Sequence, residues 1–148
     1  MSTRGHWHPW RHLADHHSDI DVEFADLGPG LLGYTDFAGG RIVLDRQLSQ
    51  RERRCTLTHE LWHIHRGRLP ADPHLQGREH HAVDHGAARQ LVTLDDLVQA
   101  LLWSTDPEEV ADELWVDGPT LRARLDGLQP HEREAIASRL ADAPQWSA

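Results

Sequence analysis

The chain has 148 residues, 39% of them hydrophobic and 26% charged, which suits one domain with its own core and excludes a disordered or fibrous chain. A formal net charge of -9 repels phosphate backbones and anionic lipid, so nucleic acid is not the expected partner. The one cysteine, Cys55, excludes an internal disulfide framework, no apolar run reaches the ~18 residues that span a bilayer, and Met1 to Arg11 lacks the apolar stretch of a secretory signal, so a cytoplasmic protein is expected.

Residues 9–17 can form a short helix carrying Trp10 and Leu13. Ile20, Val22 and Phe24 then alternate with Asp19, Asp21 and Glu23, the pattern of a half-buried strand. Gly28-Pro29-Gly30 breaks the chain, residues 32–35 read as a second strand, and Gly39-Gly40 signals a hairpin into Ile42-Val43-Leu44. A small antiparallel sheet of about three strands is the expectation.

Ser49-Gln50-Arg51-Glu52 is a capping box, in which the Ser hydroxyl and the Glu carboxylate each satisfy a free amide at a helix start. The helix should run to about Arg66, with Gly67 as its stop. A loop over 67–76 and a second helix from about Gly77 to Val92 follow. Thr93 starts a third helix and Asp106-Pro107 a fourth, Pro suiting the first helical position. Gly118-Pro119 opens a fifth to about Leu125, and Pro130 a sixth to about Leu140.

The chemistry sits in His59-Glu60-Leu61-Trp62-His63. Two imidazoles four residues apart on a helix share a face and can reach one zinc ion, while Glu60 is placed to take a proton from a water activated by the metal. Thirteen histidines raise the odds of an accidental motif, but the capped helix around this one supports it. A catalytic zinc keeps three protein ligands and an open position, so a third ligand is needed. The run Glu79-His80-His81-Ala82-Val83-Asp84-His85 is the obvious supplier. His80 leads, with Asp84 one turn on to accept a ring N–H from a ligating histidine; Glu79 is the rival, and His81, Asp84 and His85 stay open as ligands.

Gly33-Tyr34-Thr35-Asp36, Ile42-Val43-Leu44, the segment from Arg54 to His63, and Ala87-Ala88-Arg89-Gln90-Leu91-Val92 occur in an order that resembles the ImmA/IrrE family of zinc metallopeptidases. The likeness covers roughly residues 10–105, and the helical tail over 106–148 is similar to that of actinobacteriophage members. It implies a minimal gluzincin-like α+β fold in a single metallopeptidase domain, the sheet packed on a mainly helical zincin-like part. It also implies a phage-infected or bacterial host and, as in relatives, cleavage of a helix-turn-helix repressor. The family has a Glu ligand followed four residues later by Asp or Asn; here those positions are His80 and Asp84. A three-histidine set is more positive by one charge and should make the activated water more acidic.

Other residues carry competing expectations. Tyr34, the only tyrosine, is a possible oxyanion stabiliser, though a packing role suits it better. Cys55 suits the core rather than the metal. The edge of the strand at Ile42 to Leu44 is a candidate for adding an extended substrate peptide. The pair of helices over 110–125, with Arg122 and Arg124 on the second, has a helix-turn-helix cadence, but the surrounding acids favour a structural or partner-binding role over DNA. A non-catalytic zinc-containing regulatory module is the alternative to a peptidase.

Overall fold

The computed structural model describes residues 6–144, which form seven helices and one three-stranded sheet in an α+β arrangement. Helix α1 (Pro9–His16) precedes strands β1 (Asp21–Ala25), β2 (Gly33–Asp36) and β3 (Arg41–Asp45), and α2 (Gln50–Arg66) and α3 (Pro73–Leu91) follow. Four shorter helices close the chain: α4 (Leu94–Trp103), α5 (Pro107–Leu114), α6 (Gly118–Asp126) and α7 (Pro130–Ala141). Among the described residues no helix is long and apolar enough to cross a membrane.

The sheet is mixed, not antiparallel as expected, with order β1-β3-β2. Gly40, at φ 64, permits the tight reversal between β2 and β3, so those strands run antiparallel with Thr35 opposite Ile42. The connection from β1 carries the chain across to the far edge, so β1 and β3 run parallel, with Val22 opposite Ile42. β3 is therefore central, and Ile42, Val43 and Leu44 are buried on it. Its backbone groups are paired on both sides, which corrects the expectation that a peptide adds to its edge. The sheet's edges are β1 and β2.

The capping box forms as read: Ser49 Oγ accepts from the Glu52 amide at 3.2 Å and Glu52 Oε1 from the Ser49 amide at 3.0 Å. Helix α2 lies between two apolar clusters. Leu57 and Leu61 join Ile42, Leu44 and Leu48, while Cys55 joins the cluster of Val92, Leu97, Val98 and Leu114. With both sides packed, the helix has little freedom to rotate, which fixes the direction of every residue on it. Helix α3 starts four residues earlier than expected, because Asp72 Oδ1 caps the His74 amide and Pro73 takes the first helical position.

The α2–α3 seam is tight at Trp62, whose indole N–H donates to Gln90 Oε1 at 2.7 Å and whose ring lies over Gly86. A Cβ at position 86 would stand 2.7 Å from two ring carbons. Gly86→Ala is expected to destabilise the protein by about 1–3 kcal/mol, overpacking outweighing the ~1 kcal/mol that Ala gains over Gly inside a helix. Urea denaturation measures it; a more stable variant would show that the seam yields.

Candidate metal centre

His59 and His63 project from one face of α2, and their Nε2 atoms approach to 3.1 Å. Two nitrogens bonded to one zinc at ~2.0–2.1 Å in tetrahedral geometry stand roughly 3.3 Å apart, so this pair fits a shared metal. The other nitrogen of His59, Nδ1, meets Asp84 Oδ1 of α3 at 3.1 Å. That contact fixes the ring and directs Nε2 towards His63, the arrangement in which a carboxylate orients a ligating histidine. As the side chains stand, no group of three or more His, Cys, Asp or Glu among the described residues is arranged to hold a metal ion. A zinc ion held here would need a third donor to swing in.

The residues of α3 differ in their freedom to do so. His80 is exposed, its ring nearly perpendicular to that of His63 with 5.4 Å between centroids. Glu79 makes a two-pronged pair with Arg66 at 2.8 Å and 2.8 Å, which turns its carboxylate to another partner. Asp84 is engaged with His59. The rings of His81 and His85 stack on each other at 4.0 Å between centroids. Of these side chains, His80 is the one with no partner among the described residues holding it away from His63, so it could complete such a set by rotation.

Glu60 is 5% exposed, and its Oε2 accepts a 2.6 Å hydrogen bond from Thr35 Oγ1 on β2. Burial pushes its pKa up, and the Thr35 hydroxyl and nearby His59 offset part of that rise. Thr35 was not singled out in the sequence, yet it ties the edge strand to the acid. Tyr34 is not brought to Glu60: side chains alternate along a strand, so with Thr35 turned to α2 the tyrosine faces the other way, 38% exposed. Cys55 is buried, and its Sγ accepts from the Asp117 amide at 3.4 Å.

The two histidines titrate in opposite directions. His63, 9% exposed, is lowered to about 4 by burial and by the neighbouring His59 and His80. Burial also acts to lower His59, but Asp84, Glu60 and Asp117 together outweigh it and the net shift is upward. An unfolded histidine gains its proton below pH ~6.5, whereas folded His63 stays neutral until about 4, so its contribution to stability falls as pH drops through that window. His59 opposes this, its contribution being complete below pH ~6.5 and lost as pH rises through its folded value. Unfolding of metal-free protein at pH 7 and pH 5 should therefore show His63→Asn losing less stability than the natural chain, by on the order of 1–2 kcal/mol. Equal losses would remove His63 as the cause.

Helix α6 contributes a wall beside the candidate centre. A cleft of about 360 Å³ runs from His59 and Glu60 between β2, α3 and α6. Arg124 of α6 is 2% exposed and committed to Val92 O and Glu132 at 2.8 Å and 2.9 Å, so it is withdrawn from any surface that reads DNA. Set against known proteins, the chain matches no family model, no curated protein and no solved structure.

Proposed function

We propose that this chain is a zinc-dependent endopeptidase that cleaves a specific protein partner. The observation that carries the proposal is a buried glutamate, Glu60, next to two imidazole nitrogens 3.1 Å apart, one of them oriented by a carboxylate. His59, His63 and, after rotation, His80 would hold the ion. When bound, zinc would supply Lewis acidity towards a water molecule and towards the scissile carbonyl.

The chain's own residues do the rest. Glu60 takes the proton from the attacking water and passes it to the leaving amine, and its upward-shifted pKa brings its basicity closer to the working pH. Thr35 holds the carboxylate by its Oε2 atom, and Asp84 keeps His59 in one orientation. An extended substrate would add to the edge of β2, which presents its main chain beside Glu60. The resemblance to ImmA/IrrE peptidases suggests a helix-turn-helix repressor or similar regulator as the partner.

Zinc titration followed by X-ray absorption of the loaded protein tests the metal centre. One zinc per chain is expected, with three protein donors, a water in the fourth place, and loss of binding in His63→Ala. Four protein donors and no water would instead make this a closed structural site in a non-catalytic regulatory module.

A further inference from the structure

The cleft beside Glu60 is larger than the chemistry of bond cleavage requires, and its walls are specific. Besides His59 and Glu60 it is lined by small or apolar groups, among them Gly33, Ala87, Ala88 and Ala123, with Asp117 on the α6 side. No arginine lines it, and the chain contains no lysine at all. Asp117 uses Oδ1 to cap the Thr120 amide at 2.9 Å and forms no ion pair among the described residues. The other carboxylates on the wall are occupied, Glu60 by Thr35 and Asp84 by His59.

We propose that this cleft is a side-chain subsite for a basic residue, lysine or arginine, flanking the scissile bond; it rests on the peptidase reading above. A long methylene stem packs along the alanine walls while its cationic end meets Asp117, the division that lysine and arginine make when apolar surface lies beside a charge. An acidic side chain reaching the α6 side of the cleft would meet Asp117 there with no arginine to balance it, so it is disfavoured. Ala123 and Asp117 belong to or cap α6, so the helical tail selects the substrate.

The experiment measures calorimetric affinity of zinc-loaded protein for peptide hydroxamates differing only in the residue beside the chelating group: alanine, leucine, lysine or glutamate. The lysine compound should bind about fivefold more tightly than the leucine one, the size of one partly exposed ion pair, with glutamate weakest. Asp117→Asn keeps a good helix cap and should abolish the lysine advantage, as should about 0.5 M salt. Ala123→Leu fills the cleft and should weaken the lysine and leucine compounds while sparing alanine. Leucine matching lysine in the natural chain, or a lysine preference unchanged in Asp117→Asn, overturns the subsite alone. Failure of the alanine compound to bind zinc-loaded protein overturns the peptidase reading and the subsite with it.

Discussion

Replacing Glu60 with glutamine is expected to leave zinc affinity close to that of the natural chain and to slow peptide cleavage by at least about a hundredfold. Glutamine has the same shape and keeps a carbonyl oxygen for the Thr35 hydroxyl, so the contact to β2 survives. What it loses is the lone pair that receives the proton. Stability should not fall, because burial already disfavours the charge on Glu60, and an amide removes that charge from a site 5% exposed. Lost activity therefore cannot be ascribed to unfolding. Cleavage of a random peptide library, read by mass spectrometry, is the measurement, with zinc content determined on the same samples. Cleavage by Glu60→Gln at the rate of the natural chain would rule out the general-base role. Asp84→Asn makes a useful contrast: it weakens the support of His59 without touching the base, so a roughly 10–100-fold loss of zinc affinity or activity is expected.

Where the chain's organisation was legible in sequence, local rules decided it. The capping box, Gly67, and the proline starts of α5, α6 and α7 act within one helical turn, and each stands where it was read. The spacing of His59 and His63 needs only a helix to bring their Nε2 atoms together. Strand order does not follow from local rules. Whether β3 lies at an edge or in the centre depends on the path of the connection between β1 and β2, and no residue in that loop encodes the choice in its type. The same long-range pairing turned Thr35 rather than Tyr34 towards Glu60, across 25 residues of sequence. For Arg124 the surrounding acids favoured a structural role over DNA, but its partners, Val92 and Glu132, lie on other segments and no local rule names them.

The partner of Arg124 that matters most is Glu132, and its replacement should be the most damaging change outside the candidate metal centre. Glu132 is 3% exposed and reads in sequence only as the acid of a helix start at Gln129-Pro130. Its Oε1 accepts from the Gln129 amide at 3.0 Å and from Arg89 of α3 at 2.8 Å, while Oε2 accepts from Arg124 of α6 at 2.9 Å. One carboxylate thus joins three helices, including α3, which carries His80 and Asp84, and α6, which walls the cleft. Although burial works to raise it, bonds from Arg124, the Gln129 amide and Arg89 hold its pKa down to about 2. The unfolded carboxyl takes its proton near pH ~4.5, so this contribution is complete above that value and is lost as pH falls towards about 2. Glu132→Ala leaves Arg124 buried without a counter-charge and should destabilise the protein by about 3–5 kcal/mol, measured by urea denaturation at pH 7. Arg89 is 43% exposed, so water can replace its partner, and Arg89→Ala should change stability by only about 0–1 kcal/mol. The double replacement Arg124→Met with Glu132→Leu removes both buried charges and should be more stable than Glu132→Ala. If Glu132→Ala proves no worse than Arg89→Ala, the buried pair is not what fixes α6 against α3, and the cleft between them owes its shape to apolar packing alone.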